Sequence, residues 1–207
     1  MHNCLVGSEM CIRDSRTGKP MIISTGMASE DEIREAVDTA RAGGCSELAL
    51  LTCVSSYPAM PSDYNLSRIV DMRERFQTVV GLSDHTLDNT CAIASITLGG
   101  CIIEKHFTLD RKGGGADDSF SLEPNDMKNL CESSLAAWQS IGSPEYGTKS
   151  TEKNNAQYRR SLYFVKSLKK GDVIKIDDIR SVRPGFGLPT KMFDSVVGSE
   201  VNCNVSY

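Results

Sequence analysis

The chain has 207 residues, of which 40% are hydrophobic and 24% charged, and its formal net charge is −4. These values are typical of a soluble globular protein with one sizeable core and room for a small second module. They exclude a collagen-like or fully disordered chain, and no apolar run approaches the roughly 18 residues of a membrane-spanning helix. The acidic balance argues against a surface that coats nucleic acid.

The first segment, residues 1–16, shows neither a sustained hydrophobic period nor a helix-capping signal. We therefore expect it to be a tail unrelated to the fold that follows, and it lacks the features of a secretion signal. Eight cysteines occur in the chain, with no Cys-x-x-Cys pair among them. This usage predicts reduced, mostly buried cysteines, including Cys101 in an apolar run, and a cytoplasmic protein.

Short β-rich runs and helical stretches then alternate along the chain. The predicted strands are Met21–Ser24, Leu48–Thr52, Thr78–Leu82 and Cys101–His106. The predicted helices are a first one that begins after Ser29 and ends at Gly43, and then Leu66–Phe76, Asn89–Leu98 and Pro124–Ile141. Ser29 and Glu32 have the spacing of a capping box. Four βα units with apolar, β-branched strands predict an α/β fold with a parallel sheet.

The residue composition changes after the last of these helices. Residues 142–157 are polar and contain Pro and Gly, as expected of a linker. Beyond them, Ser161–Val165 and Val173–Ile176 are predicted to be short strands around the turn at residues 169–172. The last part of the chain, residues 158–207, is thus predicted to be a small β-rich module.

Polar residues follow each of the four predicted strands. Parallel strands deliver such residues to one carboxyl edge, where ligands of α/β folds bind. Ser24, Ser55 and Ser83 stand at these ends, and each precedes a helix. Small hydroxyls beside helix N-termini suit a phosphate, although serine is also common there simply as a helix cap.

Two of the three histidines occupy equivalent strand ends. Side chains alternate along a strand, so Ser83 and His85 share one face of their strand, and Glu104 and His106 share one face of theirs. Adjacent strands lie about 4.8 Å apart, a separation that two imidazoles can bridge with one metal ion. The alternative is that each histidine is a buried core residue that donates to a neighbouring carboxylate, and the pattern leaves both open.

A glycine-rich loop, residues 113–121, follows the fourth strand. Asp117 or Asp118 could accept hydrogen bonds from a hydroxylated substrate. Alternatively, the loop is a solvated turn in which an aspartate bonds its own backbone.

Several longer motifs resemble the sialic-acid synthase family, and most closely its pseudaminic acid synthase branch. The pair GLSDH and IEKHFTLD is highly specific for that family. The matching segments are KPMIISTGMAS (19–29), LALLTCVSSYPAMP (48–61), VGLSDHT (80–86), IIEKHFTLD (102–110), DDSFSLEP (117–124), RRSLYFV (159–165) and IRSVRPGFGLP (179–189).

The resemblance implies a TIM barrel followed by an antifreeze-like domain, called SAF. Residues 17–141 would be the C-terminal half of the barrel, its strands five to eight, and residues 158–207 a SAF domain truncated at its C-terminus. Half a barrel has two open sheet edges and an exposed apolar inner face. We therefore expect the chain alone to be an unstable or insoluble, inactive fragment.

The resemblance also implies an activity. Family members condense phosphoenolpyruvate with the open aldehyde form of an N-acetylated amino sugar. Carbon C3 of phosphoenolpyruvate attacks the aldehyde, water adds to C2, and phosphate leaves by C–O cleavage. The product is a nine-carbon α-keto acid sugar. A divalent metal, Mn²⁺ or Mg²⁺, polarises the aldehyde.

The family's site residues carry over to matching positions of this chain. The implied metal ligands are His85 and His106, the implied phosphoenolpyruvate ligands are Ser24, Ser83 and, less directly, Ser55, and the implied sugar contacts are Tyr57, Asp117 and Arg183. Arg183 would reach the partner's site in a homodimer whose SAF domains each cap the other barrel. The family's catalytic glutamate and phosphate-binding lysines lie on strands that this sequence does not contain.

The identity of the amino sugar is indicated by short, less specific sequence segments. The loop at residues 117–121 and the segment 183–189 favour pseudaminic acid synthesis from 2,4-diacetamido-2,4,6-trideoxy-altrose. The alternatives are an N-acetylneuraminate or legionaminate synthase and, in another class, a sugar-binding or SAF interaction module without catalysis. A dinucleotide-binding enzyme finds no support, because no GxGxxG follows a strand.

Overall fold

The computed structural model describes residues 9–207 and divides the chain into two compact units, Met1–Ser143 and Pro144–Tyr207. In the first unit, strands and helices alternate after an initial helix. Its elements are α1 (Glu9–Ser15), β1 (Met21–Ser24), α2 (Glu30–Ala42), β2 (Leu48–Cys53), α3 (Arg68–Phe76), β3 (Val79–Asp84), α4 (Thr90–Thr97), β4 (Ile102–Lys105) and α5 (Pro124–Ile141).

The four strands form one parallel sheet in the order β1-β2-β3-β4. This confirms the predicted βα units; β1 has the predicted bounds, and the ends of the other strands differ from the predicted ones by at most two residues. Cys53 is the register partner of Ser83, and Ser83 is the register partner of Glu104. The polar ends of neighbouring strands therefore lie side by side, and the sheet forms half of a barrel.

Helix α2 follows the prediction closely. Ser29 caps it, its hydroxyl accepts from the Glu32 N–H, and the Glu32 carboxylate accepts from the Ser29 N–H. One helical face packs on the sheet and is buried at Ile33, Ala36, Val37 and Ala40. Burial of a branched aliphatic side chain contributes about 1.5–3 kcal/mol, so this face fixes the helix to the strands.

The two faces of the sheet have different surroundings. Outward-facing residues such as Ile23, Leu50 and Val80 form a core with α2 and α3. On the inner face, Ile22 is 58% and Val79 is 49% exposed, and both line an open groove of about 510 Å³. The exposed apolar inner face predicted for half a barrel is thus present near the amino-terminal ends of β1 and β3, whereas Leu51 on the same face is buried.

Residues 9–15 differ from the expectation that residues 1–16 stay outside the fold. They form α1, which packs against α2, and Cys11 and Ser15 are buried. Gly43 makes the approach possible, because a Cβ there would lie 1.8 Å from the Ser15 hydroxyl oxygen. Residues 1–8 lie outside the described residues, and the unrelated origin of the tail stays a prediction.

Seven cysteines fall within the described part of the chain, and six of them are free thiols, namely Cys45, Cys53, Cys91, Cys101, Cys131 and Cys203. Four of the seven are buried, but Cys101 is exposed, contrary to the expectation from its apolar neighbours. Between residues 9 and 207 there is no helix with both the length and the hydropathy needed to cross a membrane.

The second unit contains the strands β5 (Ser161–Phe164), β6 (Ile179–Val182) and β7 (Leu188–Pro189), which form an antiparallel sheet in the order β6-β5-β7. Residues Ser150–Tyr158, at the end of the predicted linker, form 3₁₀ turns. A small core consists of Ile174, Ile179 and Val201 with their neighbours. A short helix, α6 (Phe193–Val196), follows β7 in the chain.

The predicted strand Val173–Ile176 is wrong. Val173 forms only an isolated bridge with Glu200, and a 3₁₀ turn begins at Ile176. The cause is Asp178, whose buried carboxylate accepts from the Lys175 N–H at 2.8 Å and bends the chain. The predicted turn at residues 169–172 is present, since the Asp172 N–H donates to the Lys169 carbonyl.

Candidate active site at the carboxyl end of the sheet

The two strand-end histidines lie next to each other. Their ring centroids are 5.2 Å apart and the rings are nearly perpendicular. Ser83 and Glu104, two residues before each histidine, are also in contact, since the Ser83 hydroxyl donates to Glu104 Oε1 at 2.8 Å. Alternation along β3 and β4 thus brings these four side chains to one side of the sheet, as the pattern predicts.

The imidazole of His85 is buried and held from behind. Its Nδ1 lies 2.7 Å from the carbonyl oxygen of Val54. A carbonyl can only accept, so Nδ1 carries the proton and Nε2 keeps its lone pair. Burial lowers the pKa of His85, and the adjacent His106 acts in the same direction. At neutral pH the ring is therefore uncharged and able to act as a ligand.

His106 is partly exposed and has a looser partner. Its Nδ1 lies 3.4 Å from Asp117 Oδ2, beyond the usual N–H···O range of about 2.7–3.2 Å. The Asp117 side chain is 61% exposed, so water screens the pair. The carboxylate still orients the ring, because an acceptor on the Nδ1 side favours a lone pair at Nε2.

Aromatic rings form one wall of the site. The Tyr57 ring lies 4.2 Å from the His85 ring and 5.6 Å from the His106 ring, measured between centroids. Phe120 lies 5.2 Å from His106 and 5.7 Å from Tyr57. The structure therefore brings Tyr57 to the histidines, and it adds Phe120, for which the sequence offered no signal beyond its place in the glycine-rich loop.

A cavity of about 270 Å³ opens between these residues. It is lined by Ser83, His85, Glu104, Lys105, His106, Phe107 and Asp117. Ser24 and Ser55 lie at the ends of β1 and β2 and are not part of this lining. Ser55 sits against Gly26, where a Cβ would come within 2.5 Å of its hydroxyl oxygen.

The two aspartates of the loop have different surroundings. Asp118 accepts from the Thr108 hydroxyl and from the Gly115 N–H, each at 2.7 Å, so it shapes the loop itself. These hydrogen bonds, the one from Thr108 above all, lower the pKa of Asp118. Asp117 is the one that faces His106. Of the two alternatives, Asp117 is thus the residue available to a ligand.

Some residues that shape the site were not predicted. Tyr64 is completely buried in the loop after β2, and its hydroxyl accepts from the His85 N–H at 2.6 Å and donates to the Ser83 carbonyl at 3.3 Å. Lys105 and Asp84 form a buried ion pair behind the histidines. Both contacts join distant parts of the chain, so local periodicity carries no signal for them. Alternation did place Glu104 beside His106, but it assigned Glu104 no role.

Arg183 belongs to the second unit and is exposed. Its predicted part in a site of the partner subunit stays a prediction.

The donor set fits a metal ion in part. Among residues 9–207 no group of three or more His, Cys, Asp and Glu side chains is arranged to hold an ion. His85 and His106 nevertheless offer two nitrogen ligands. A ligand nitrogen about 2.1 Å from an ion puts the ring centroid roughly 3.3 Å from that ion, so centroids 5.2 Å apart allow a shared ion. The other ligands would have to be water or substrate oxygens, or groups outside the described residues.

The family comparison divides the chain as the fold does. The NeuB family model matches residues 4–146, and the SAF domain model matches residues 159–206. The first match begins inside the segment that was expected to be an unrelated tail.

Relatives with assigned activities match most of this chain. A pseudaminic acid synthase of Helicobacter pylori is 33% identical over 200 residues, which cover 96% of this chain and 58% of the relative. An N,N'-diacetyllegionaminic acid synthase of Legionella pneumophila is 38% identical over 192 residues, which cover 90% of this chain and 54% of the relative. The chain thus spans a little over half the length of these curated relatives.

A solved structure has the same fold. The crystal structure of an N-acetylneuraminic acid synthetase from Leptospira borgpetersenii superposes with a TM-score of 0.65 at 31% identity. The superposition covers 72% of this chain and 52% of that chain. With four parallel strands that form half a barrel and a following SAF domain, the chain belongs to the NeuB family.

Proposed function

We propose that this chain carries half of the active site of a synthase that condenses phosphoenolpyruvate with an N-acetylated amino sugar. The products are a nine-carbon α-keto acid sugar and phosphate. The observation that carries the proposal is the pair His85 and His106, whose imidazole rings lie 5.2 Å apart at the ligand-binding edge of the sheet. Pseudaminic and legionaminic acid synthases among the relatives support the same reaction.

His85 and His106 would hold the divalent metal through Nε2. Nitrogen ligands suit transition ions better than Mg²⁺, so the donor set favours Mn²⁺ of the two expected ions. When bound, the ion supplies Lewis acidity to the aldehyde oxygen of the open-chain sugar. Val54 and Asp117 contribute by holding the Nδ1 sides of the rings, which fixes their orientation.

Ser24, Ser55 and Ser83 are the proposed ligands of phosphoenolpyruvate. Ser83 is the one that lines the cavity, and its hydroxyl proton is directed at Glu104. To donate to a phosphate or carboxylate, this hydroxyl has to rotate away from Glu104. Substrate binding would therefore exchange one charged acceptor for another, without burying an unpaired donor.

The sugar would lie against Tyr57 and Asp117. Tyr57 offers an aromatic face and a hydroxyl beside both histidines. Asp117 has an exposed carboxylate at the cavity rim that can accept from sugar hydroxyls. Arg183 would complete the sugar site of the partner subunit in a homodimer in which each SAF domain caps the other barrel.

For the substrate itself we propose 2,4-diacetamido-2,4,6-trideoxy-altrose, which gives pseudaminic acid. The loop at residues 117–121 and the segment 183–189 support this choice. The Legionella relative, at 38% identity, favours a legionaminic acid precursor as the second candidate.

The test is a phosphate-release assay with phosphoenolpyruvate on the completed protein, in which the amino-terminal part of the Legionella relative precedes this chain. The altrose derivative, the legionaminic acid precursor and N-acetylmannosamine are compared at equal concentration with Mn²⁺. Release with an acetamido sugar and none without sugar supports the synthase, and preference for the altrose derivative supports the pseudaminic product.

Matched variants make the assay specific. His85→Ala and His106→Ala should each abolish phosphate release, whereas His2→Ala, the third histidine of the chain, should leave it unchanged. Sugar binding without release in the wild-type protein would instead indicate a binding module. Preference for N-acetylmannosamine would overturn the pseudaminic product.

A further inference from the structure

Behind the two histidines, on the opposite side of the sheet, lies a buried ion pair. Asp84 directly precedes His85, and Lys105 directly precedes His106. Lys105 Nζ lies 3.0 Å from Asp84 Oδ2, and the two side chains are 2% and 0% exposed. Alternation explains the arrangement, because the residue before an inward-facing histidine must point outward. The pair therefore connects β3 and β4 immediately next to the two imidazoles.

The Lys105 ammonium and both carboxylate oxygens of Asp84 have hydrogen-bond partners. Beyond Asp84, the Lys105 ammonium donates to the carbonyl of Thr86, at 2.9 Å, and to that of Asp88. Asp84 Oδ1 accepts from the Thr86 N–H at 2.9 Å. An ammonium has three donors, and three acceptors meet it here. The pair thus holds the backbone on both sides of His85, at Asp84 and at Thr86.

A buried ion pair is poor evidence for stability, because desolvation of two charges offsets most of their attraction. Apolar side chains of similar volume would fill the space between the strands and α4 at similar or lower cost. What apolar residues cannot do is connect a point on β4 to three defined atoms of β3 and of the loop that follows. This connection fixes the separation of the two strand ends.

We propose that the Asp84–Lys105 ion pair is a positioning device that sets the distance between the His85 and His106 rings. The inference rests on the proposed function in one respect, namely that these rings share a metal ion. Lys105 borders the cavity, but its ammonium group is bound to Asp84, Thr86 and Asp88, and neither member of the pair is a proposed substrate ligand. It acts through the backbone of the residues that precede the histidines, and Tyr64 holds the same stretch from the His85 N–H.

The test compares the wild type with the double variant Asp84→Asn/Lys105→Met. Removal of one partner alone would leave a buried charge and could unfold the chain, whereas the double variant removes both charges. If the first double variant does not fold, it is replaced by Asp84→Asn/Lys105→Gln. This second double variant keeps hydrogen-bonding groups at both positions but carries no charges. The control Arg75→Met removes a positive charge from an exposed pair with Asp71 in the same unit. Circular dichroism shows that each protein is folded.

The first readout needs no metal. Selective histidine labelling gives only three imidazole signals from the chain, and a nuclear Overhauser contact reports the proximity of the two rings. The second readout is Mn²⁺ affinity, measured with Mn²⁺ alone by electron paramagnetic resonance. Both are made on the whole 207-residue chain and on the completed protein.

We expect the folded double variant to lose the ring-to-ring contact and to bind Mn²⁺ roughly 10- to 100-fold more weakly. Mutation of residues that support metal ligands usually lowers metal affinity by this factor. The Arg75→Met control should change neither. A folded double variant that keeps the ring contact and the Mn²⁺ affinity overturns the inference. If the wild type keeps the ring contact but binds no Mn²⁺, the proposed function loses its metal, and the ring contact alone still decides the positioning role.

Discussion

Ser83 and Glu104 are register partners on neighbouring strands, and the Ser83 hydroxyl donates to Glu104 Oε1 at 2.8 Å. The bond lies two residues before the two histidines, so it closes the floor of the cavity. It also places a serine proposed to bind an anion beside a carboxylate. If Ser83 binds phosphoenolpyruvate as proposed, its hydroxyl has to exchange Glu104 for the substrate as acceptor.

Ser83→Ala tests this exchange in the completed protein. A hydrogen bond to a charged group is worth about 1.5–3 kcal/mol, so we expect KM for phosphoenolpyruvate to rise roughly 10- to 100-fold. KM for the sugar should change much less. Ser140→Ala is the control, because Ser140 is exposed on α5 and donates only to Ala137 within its own helix. An unchanged KM for phosphoenolpyruvate would remove Ser83 from the proposed anion site.

Gly81→Ala tests how closely β3 and β4 must approach. A Cβ at Gly81 would lie 2.3 Å from the Ile102 carbonyl oxygen and 2.8 Å from a Leu51 methyl group. We expect a loss of about 1–3 kcal/mol in the free energy of unfolding, since overpacking forces the backbone apart. Urea unfolding measures the loss, and the contact between the two histidine rings should weaken.

The control for this variant is Gly44→Ala. Gly44 has a positive φ but no atom within 4 Å of an added Cβ, so it reports backbone strain without crowding. It should leave the ring contact intact. If Gly81→Ala unfolds at the same urea concentration as the wild type, the strands are less tightly packed than described.

Ser29→Ala tests the capping box of α2 apart from the site. Loss of the serine cap should cost about 1 kcal/mol in the free energy of unfolding, because the Glu32 N–H loses its acceptor. Urea unfolding followed by circular dichroism measures it. The ring contact of the histidines should not change, and a stability equal to the wild type would mean that water replaces the cap fully.

Asp178 makes the stability of the second unit depend on pH. The Lys175 N–H, and then Lys166, lower the pKa of Asp178 in the folded state. A lowered folded-state pKa adds stability above the unfolded-state pKa, and this stability is lost as the pH falls through the folded-state value. We expect Asp178→Asn to be less stable than the wild type at neutral pH, with the difference disappearing in strong acid.

Thermal melts of the two proteins from neutral to strongly acidic pH measure this difference. Asp177→Asn, at the exposed neighbouring position, is the control and should melt like the wild type throughout. A gap between wild type and Asp178→Asn that persists in acid would assign the effect to packing and not to charge.

Local patterns predicted the parts of the fold that local physics determines. The capping box at Ser29 follows from spacing alone, and so does the alternation that brings His85 and His106 to one face. These features need only neighbours in the sequence and the geometry of one helix or strand.

Contacts between distant residues account for what the sequence could not predict. Tyr64 reaches His85 and Ser83 from a loop without periodicity, and the Asp84–Lys105 pair needs the register of two strands to be known. Likewise, the segment 173–176, with three apolar residues of four, suggests a strand, but the Asp178 carboxylate accepts from the Lys175 N–H and turns the chain instead. Tertiary contacts override propensity at such positions.

The central claim is that His85 and His106 share one divalent metal ion. A Mn²⁺ titration of the completed protein, followed by electron paramagnetic resonance, tests it most directly. The account predicts one Mn²⁺ bound per chain in the wild type and in His2→Ala, and at least a tenfold weaker affinity in both His85→Ala and His106→Ala. Equal Mn²⁺ affinity in all four proteins would contradict it.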